Sequence, residues 1–322
     1  MKCLQASLRD GRISAAIADV PPPVPGADEV LVRVHASGVN RADLSQIAGR
    51  YPPPPGESAI LGLEVSGRVV GTGERVCALL GGGGHAELVA VPAGQIMPVP
   101  KSVDLMSAAG IPEVFLTAFV TLIHEGRLRP GERVLIHAGA SGVGLAAIQL
   151  AKMIGATVGA TTRTRSKLGA MRDAGADLGF VSGEVDPVEG IEQAWGPGAV
   201  HVILDPIGAA TLAGDLRLLA PRGRLIVIAT MSGARTELDL STLMKKRARI
   251  IGSTLRARGR SEKAGLVKRF QELVWQGFDT GALRVHIDSI VTPEGAGEAF
   301  QRLEQNLNVG KVLIRWENET VK

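Results

Sequence analysis

The chain has 322 residues and a net charge of +4; 45% of its residues are apolar and 3% are aromatic. This length is sufficient for two domains, and the composition excludes an intrinsically disordered or collagen-like protein. The small and dispersed net charge does not indicate a nucleic-acid or membrane partner.

The number of cysteines and the N-terminal sequence indicate in which cellular compartment the protein is expected. Cys3 and Cys77 are the only cysteines, too few for a disulfide framework or a four-cysteine zinc site. The first residues lack the apolar core of a signal peptide, and no window offers 18 uninterrupted apolar residues. The sequence therefore predicts a soluble, cytoplasmic protein with no membrane partner.

Residues 29–91 consist of short apolar runs separated by turn residues. The separators include Gly71-Thr-Gly73 and the Gly81–Gly84 run. This pattern predicts a twisted, largely antiparallel β unit.

From about Leu105 the pattern changes to helix-length apolar periods that alternate with β-branched runs. Such runs are typical of strands buried on both faces of a parallel sheet. The predicted strands are Val134–His137, Thr157–Ala160, Gly179–Val181, Val200–Leu204, Arg224–Ala229 and Arg249–Ser253. Six strands with helical intervals predict an α/β, doubly wound domain with a six-stranded parallel sheet.

The last part of the chain returns to the first pattern. Ser261 is the predicted N-cap of an amphipathic helix that ends at Gly277, and a short β-like segment follows Gly310-Lys311. Because this segment is too short to be a domain, we expect it to rejoin the N-terminal β unit. The predicted domains are residues 1–118 with 261–322, and residues 119–260.

The strongest local motif is Val134-Leu-Ile-His-Ala-Gly-Ala-Ser-Gly-Val-Gly144, which precedes a predicted helix. A strand, a glycine turn and a helix N-terminus direct backbone N–H groups and the positive helix end towards an anion. The motif predicts a dinucleotide pyrophosphate site, with Ser141 where the second glycine of G-x-G-x-x-G belongs. The predicted contacts are Ser141, Gly142, Val143 and Gly144; a purely structural turn is the alternative.

The region after the second strand indicates the type of dinucleotide. An NAD site places an Asp or Glu there, against the ribose hydroxyls. This chain has no acid in residues 161–167 and instead offers Thr162, Arg163 and Lys167. Because hydroxyl and cationic groups suit a 2′-phosphate, the sequence predicts NADPH as cofactor, with a solvated loop as the alternative.

Further runs reveal a family resemblance. They are Ala36-Ser-Gly-Val-Asn-Arg-Ala-Asp43, Leu61-Gly-Leu-Glu-Val-Ser-Gly67, Ile111-Pro-Glu-Val-Phe-Leu-Thr-Ala118 and Asn308-Val-Gly-Lys311. With the serine-containing turn, the chain resembles, from end to end, the zinc-independent quinone oxidoreductases of the medium-chain dehydrogenase/reductase superfamily. It looks most like the tumour-suppressor-inducible NADPH quinone oxidoreductase branch. The resemblance implies a GroES-like β-rich catalytic domain, a Rossmann NADP-binding domain, NADPH as hydride donor and a homodimer.

The resemblance also implies roles for individual residues. Tyr51, the only tyrosine, matches the active-site Tyr of the family, and Asn40 matches the residue that replaces a zinc-binding Cys. Packing of Tyr51 on the prolines after it and loop capping by Asn40 are the alternative interpretations. The further cofactor positions that we predict are Thr117, Ser182, Ala229, Met231, Leu255 and Asn308. Ser182 stands where the family commonly has a Tyr, so we expect that contact to be lost or replaced.

A metal is not expected. Zinc alcohol dehydrogenases of the same superfamily have a Cys at the position of Asn40 and a His at that of Leu63, and this chain has neither. A metal-free oxidoreductase needs an aligned cofactor, a dry pocket and a donor for the developing oxygen charge. We expect Tyr51 and Asn40 to supply hydrogen bonding and positioning.

The sequence thus predicts an NADPH-dependent quinone oxidoreductase with a small-molecule quinone or enone substrate. Reduction of an enone or enoyl C=C bond is an alternative, as is a non-catalytic NADPH- or RNA-binding protein. The basic run Lys245–Arg249, with Arg256, Arg258 and Arg260, lacks interleaved aromatic residues. We therefore interpret it as a solvated helix end and expect no nucleic-acid partner.

Overall fold

A computed structural model describes residues 1–317 of the chain. The chain forms two units, of which one contains Met1–Leu116 and the segment from Leu255 onward, and the other contains Thr117–Thr254. The sequence had predicted these boundaries after residues 118 and 260. The second boundary lies earlier because Arg256 is already hydrogen-bonded to Gly81 of the first unit.

The N-terminal part of the first unit is mostly β structure. Its strands are β1 (Lys2–Arg9), β2 (Arg12–Asp19), β3 (Glu29–Val39), β4 (Glu64–Val69), β5 (Arg75–Leu79), β6 (Leu88–Pro92) and β7 (Ile96–Pro98). Its helices are α1 (Arg41–Ile47) and α2 (Leu105–Ala108), and α3 (Pro112–Phe119) begins in this unit and ends in the second. β1 and β2 form an antiparallel hairpin that the sequence analysis missed.

The second unit alternates strands and helices. Its strands are β8 (Arg133–Ile136), β9 (Thr157–Thr162), β10 (Leu178–Val181), β11 (Val200–Asp205), β12 (Leu219–Val227) and β13 (Arg249–Gly252). Its helices are α4 (Gly142–Ile154), α5 (Leu168–Asp173), α6 (Pro187–Trp195), α7 (Leu212–Leu218) and α8 (Leu240–Lys246), and a π-helical turn spans Val120–Glu125.

All six predicted strands are present, and they form one parallel sheet. The spatial order is β10-β9-β8-β11-β12-β13. This is the doubly wound order of a Rossmann domain, in which ligands bind at the carboxyl ends of the strands where the order reverses. Here the reversal lies between β8 and β11, so the turn after β8 is at the ligand-binding position.

The chain then returns to the first unit. Its last elements are α9 (Arg260–Val274), α10 (Gln276–Asp279), β14 (Ile287–Val291), α11 (Ala296–Glu304) and β15 (Lys311–Arg315). The predicted N-cap Ser261 is wrong: Gly259 caps α9, which begins one residue before Ser261. The predicted return of the tail is correct, because β15 pairs antiparallel with β3.

The first unit has one large sheet, in the order β14-β15-β3-β4-β5-β7, with β6 also paired to β3. Two apolar clusters pack against it, one around Leu4, Val39 and Phe300 and another around Val32, Val65 and Val91. No helix in residues 1–317 is long and apolar enough to cross a lipid bilayer.

Candidate functional site

The turn after β8 has the backbone geometry of an anion cradle. Ala138 adopts a positive φ of 52°, which is unfavourable for a residue with a Cβ, and Gly139 follows it. A Cβ on Gly139 would lie 2.8 Å from the Ala160 Cβ, and one on Gly144 would lie 2.4 Å from the Ala138 oxygen. Both positions therefore require glycine, because strand, turn and helix approach each other closely here.

Helix α4 begins directly from this turn. The Ser141 side chain accepts a hydrogen bond from the Gly144 N–H at 3.0 Å and so caps the helix. Helix geometry gives the N–H groups of Gly142 and Val143 no intrahelical acceptor, and the positive end of the 13-residue helix lies at the same place. The four residues predicted for the pyrophosphate are thus together and fit a dinucleotide phosphate.

The carboxyl end of β9 carries the residues predicted for a 2′-phosphate. Thr162 is buried as the last residue of the strand, whereas Arg163 is exposed and Lys167 is half-buried. Ser182 follows β10, and its N–H donates to the Thr162 oxygen at 2.8 Å, so these two predicted positions are neighbours. Arg165 of the same loop forms an ion pair with Glu184.

A buried polar network lies at the same end of the sheet. His137 follows β8, and its Nε2 lies 2.7 Å from Asp215 Oδ1 while its Nδ1 lies 3.0 Å from Thr161 Oγ1. Burial disfavours the charged imidazole, but the adjacent Asp215 carboxylate outweighs it and raises the pKa of His137. The network fixes the end of β8, where the cradle begins, to the end of β9 and to α7.

The first unit contains a second polar cluster, centred on the fully buried Glu64 at the start of β4. Its Oε1 lies 2.6 Å from Lys311 Nζ and accepts a 2.9 Å hydrogen bond from Asn40 Nδ2. Lys311 Nζ also donates to Asn40 Oδ1 and to the Val39 oxygen, each at 2.8 Å. Pairing of β15 with β3 brings these three residues together across most of the chain length.

Both the backbone and the side chain of Asn40 form hydrogen bonds. Its backbone N–H donates to Asp43 Oδ2 at 2.7 Å in a capping box that starts α1, while its side chain contacts Glu64 and Lys311. Glycine is required at position 38, since a Cβ there would lie 2.3 Å from Glu64 Oε1. Asn40 therefore caps α1 and also takes part in the polar cluster with Glu64 and Lys311.

Tyr51 lies against Arg256. The guanidinium carbon of Arg256 is 5.2 Å from the centre of the Tyr51 ring, and Nη1 donates to the Tyr51 backbone oxygen at 3.1 Å. Burial, with a contribution from Glu113, raises the pKa of the Tyr51 phenol, so the hydroxyl keeps its proton. The interpretation of Arg256 as part of a solvated basic run is wrong, because only 2% of it is exposed.

The remaining predicted residues are divided between the units. Thr117 begins the second unit and is half-buried, while Ala229 and Met231 are exposed after β12. Leu255 is buried in the first unit, and Asn308 Nδ2 donates to the Gly310 oxygen in the turn before β15.

The cluster around Asn40 does not fit a zinc ion. Its polar groups are an amide, a carboxylate and an ammonium, and the ammonium of Lys311 lies between the oxygens of Asn40 and Glu64. Within residues 1–317, no three His, Cys, Asp or Glu side chains are grouped to hold a metal. Since zinc requires anionic or imidazole ligands with an open position, we derive no step through a metal.

Sequence reasoning missed Lys311, Arg256 and Glu113 as parts of this site. Glu113 lies at the start of α3, where its N–H donates to Glu64 Oε2 at 2.8 Å. The available signal was a charged residue inside an apolar run, as in Gly310-Lys311-Val-Leu-Ile, because such a residue must find a buried partner.

Comparisons with known proteins agree with this organisation. Residues 26–101 match the family "Alcohol dehydrogenase GroES-like domain", and residues 142–272 match the family "Zinc-binding dehydrogenase". The quinone oxidoreductase of Sus scrofa is 30% identical over 308 residues, covering 92% of this chain and 92% of that protein. The synaptic vesicle membrane protein VAT-1 homolog of Homo sapiens is 29% identical, covering 91% and 80%.

Solved structures of similar sequence share the fold of this chain. The quinone oxidoreductase from Thermus thermophilus, which was also solved in complex with NADPH, is 31% identical with a TM-score of 0.84. That similarity covers 98% of this chain and 100% of the other. A mycobacterial protein complexed with NADPH has a TM-score of 0.84 at 28% identity, over 94% and 95% of the two chains.

Proposed function

The chain belongs to the medium-chain dehydrogenase/reductase superfamily as an oxidoreductase of the quinone oxidoreductase type, and from this premise we propose that it is an NADPH-dependent, zinc-independent enzyme that reduces a quinone. Bound NADPH supplies the hydride. The residues of this chain hold the cofactor, keep water out and stabilise the oxygen that becomes negative.

The cofactor assignment is supported by the second unit. The cradle Ser141–Gly144 suits the pyrophosphate, and the cationic groups of Arg163 and Lys167 suit a 2′-phosphate. Relatives solved with NADPH support the same choice. Thr117, Asn308, Ser182, Ala229, Met231 and Leu255 are our further proposed contacts.

The observation that carries the proposal is the position of Lys311 between Asn40 and Glu64. An alcohol or simple carbonyl in this superfamily is activated by a Lewis-acid metal, whereas this cluster contains a fixed ammonium that is already neutralised by Glu64. Acceptors that delocalise the incoming charge need less activation, and quinones are such acceptors. Tyr51, which keeps its proton, then provides a hydrogen bond to the developing oxyanion.

An enone is the second candidate acceptor, because hydride addition to its C=C bond also places charge on a carbonyl oxygen. The same donor serves both reactions. A protein that binds NADPH or RNA without turnover is the remaining alternative from the sequence, and one similar protein, the synaptic vesicle membrane protein VAT-1 homolog, does not carry an enzyme name.

The decisive experiment measures NADPH consumption with a panel of quinones, enones and aldehydes in the presence of EDTA. We expect turnover with quinones, little with aldehydes and no effect of the chelator. Turnover with enones alone would transfer the assignment to C=C reduction. Cofactor binding without any turnover would leave a binding protein, and loss of activity with stoichiometric zinc would refute zinc independence.

We further propose that the chain works as a cytoplasmic homodimer without nucleic-acid or membrane partners. We also retain the tumour-suppressor-inducible branch as the proposed subgroup. The run Asn40-Arg-Ala-Asp43, the tyrosine before a proline cluster and the serine-containing cradle support that branch.

A further inference from the structure

Glu64 and Glu113 lie next to each other in the first unit, and the charge of Glu64 acts on the Glu113 carboxyl group. The Glu113 N–H donates to Glu64 Oε2, and the other Glu64 oxygen receives Lys311 and Asn40. Both oxygens of Glu64 therefore have donors. Lys311, the cation that acts most strongly on Glu113, is itself ion-paired with Glu64.

The Glu113 side chain lacks comparable partners. Its Oε2 atom is buried and has no hydrogen-bond partner among residues 1–317. The charged and titratable groups that act on it or feel its charge are Glu64, Asp43, Lys311, Lys263, Tyr51 and Arg256. The residue as a whole is half-buried, but negative charge on this buried oxygen without a donor is costly, and the neutral carboxylic acid costs less at the same place.

The electrostatics favour the same protonation state. Burial, followed by the charge of Glu64, raises the pKa of Glu113 to about 8, although Lys311 and Lys263 oppose this effect. A carboxyl group with such a value is protonated at pH 7 and still releases its proton readily, as general acid catalysis at that pH requires. Tyr51, by contrast, has a raised phenol pKa and is suited to hydrogen bonding rather than to proton release.

We propose that Glu113 is a neutral carboxylic acid in the folded protein and supplies the proton that the proposed reduction consumes. This inference rests on the proposed function. Hydride addition to a quinone leaves a hydroquinone monoanion. The negative oxygen forms an O–H bond as the O–H bond of Glu113 breaks, and the resulting Glu113 carboxylate regains a proton from water.

The protonation state is tested on the protein without substrate or cofactor. A group whose folded pKa of about 8 exceeds its ordinary value of 4.5 takes up a proton on folding, so its contribution to stability falls as pH rises from about 4.5 to about 8. Glu113→Gln removes this dependence. Its Tm should therefore rise relative to wild type between pH 5 and pH 8, and its infrared spectrum at pH 7 should lack one protonated carboxyl band.

Glu57→Gln is the matched control, a half-buried glutamate of the same unit that pairs with Arg260. It should leave both the carboxyl band and the slope of Tm against pH as in wild type. Parallel Tm curves for Glu113→Gln and wild type, with an unchanged infrared band, would overturn the proposal.

The proton supply itself is tested by kinetics with NADPH and a quinone. Wild-type kcat should fall above about pH 8, and Glu113→Gln should lower kcat at pH 7 by about 100-fold and remove that pH dependence. Glu113→Asp should recover part of the rate.

An active wild type with an unchanged kcat and pH profile in Glu113→Gln would overturn the proton-supplying role of Glu113 and leave the proposed function standing. A wild type that consumes no NADPH would overturn the proposed function and the proton-supplying role together, while the infrared and Tm results would still report the protonation of Glu113.

Discussion

Arg256 and Tyr51 are joined twice, because the guanidinium lies over the tyrosine ring and also donates to its backbone oxygen. The same buried side chain donates to the Gly81 oxygen at 2.8 Å and to Gln46 Oε1 at 2.7 Å. One arginine thus ties α1, the Tyr51 loop and the glycine run after β5 together. The position of the only phenol in the chain depends on it.

Replacing Arg256 should affect both stability and turnover. Arg256→Met leaves three acceptors without their donor, and we expect it to lower the free energy of unfolding by about 2–4 kcal/mol. It should also reduce kcat, because the Tyr51 ring loses its support. Arg256→Lys keeps the charge but not the planar set of donors, so an intermediate result is expected. Urea unfolding and steady-state kinetics measure the two effects.

Lys152→Met is the control for this experiment. Lys152 pairs with Asp177, both side chains are more than one third exposed, and such pairs contribute about 0–1 kcal/mol. If Arg256→Met were as mild as Lys152→Met, Arg256 would not position the Tyr51 loop.

The sequence alone was sufficient to predict the parallel sheet and the glycine turn that leads into α4. Continuous apolar runs between helical periods defined all six strands, since strands covered on both faces need no polar alternation. The hairpin of β1 and β2 was missed because its strands are rich in Ala and Ser rather than in β-branched residues. Local pattern is a weak guide where packing against other segments stabilises the strand.

The polar cluster of the first unit was less predictable. Glu64 and Lys311 are far apart in sequence, and only the pairing of β15 with β3 brings the ammonium to the carboxylate. Arg256 looked like one member of a basic surface run, since composition does not reveal which cation is covered. Asn40 and Tyr51 were found through a family resemblance rather than through any local physical signal.

The loop after β9 gives a prediction about cofactor choice. Arg163→Ala combined with Lys167→Ala should weaken NADPH binding by about 100-fold, because each charge-assisted bond contributes about 1.5–3 kcal/mol before desolvation. NADH affinity should change by less than about threefold, since NADH lacks the 2′-phosphate. Fluorescence titration with both cofactors measures the difference.

Arg165→Ala serves as the matched control in the same loop, because Arg165 is already paired with Glu184. It should alter the two affinities little. Equal affinities of the wild type for NADPH and NADH would contradict the assignment of this loop to a 2′-phosphate.

The buried ion pair of Lys311 and Glu64 gives a prediction about stability. Lys311→Met should lower the free energy of unfolding by about 3–5 kcal/mol, because it leaves the Glu64 charge buried without its cation. Adding Glu64→Gln should recover part of that loss. Lys152→Met is the control, since its pair with Asp177 is more than one third exposed and should contribute about 0–1 kcal/mol. Similar losses from both lysine variants in urea unfolding would contradict this account of the cluster.

Strand β13 is an edge of the parallel sheet and carries two half-buried apolar residues, Ile250 and Ile251. A bare edge of this kind favours association, and pairing across a two-fold axis would cover it. We expect sedimentation to give about twice the 33.6 kDa mass of one chain. Ile251→Pro should shift the folded protein to monomer, because proline cannot donate to a strand ladder.

Ile290→Pro is the control, because β14 is an edge strand of the large sheet in the first unit. This variant should leave the dimer intact. A wild-type monomer at micromolar concentration would contradict the prediction. So would a folded Ile251→Pro variant that remains dimeric.

Tyr51→Phe tests the proposed chemistry most directly, because it removes the hydroxyl and keeps the ring beneath Arg256. Since burial and the nearby Glu113 raise the pKa of the phenol, the hydroxyl remains a neutral donor over the working pH range. Loss of such a donor to the developing oxyanion should lower kcat by about 10- to 1000-fold, with NADPH affinity little changed. Stopped-flow measurement of hydride transfer and fluorescence titration of NADPH separate the two effects.

A weakened NADPH affinity with kcat intact at saturating cofactor would instead place Tyr51 against the nicotinamide. If neither quantity changed, Tyr51 would be a packed loop residue. The hydrogen bond to the developing oxyanion would then come from water or from another group than Asn40, because the Asn40 amide already donates to Glu64 and to the Gly38 oxygen.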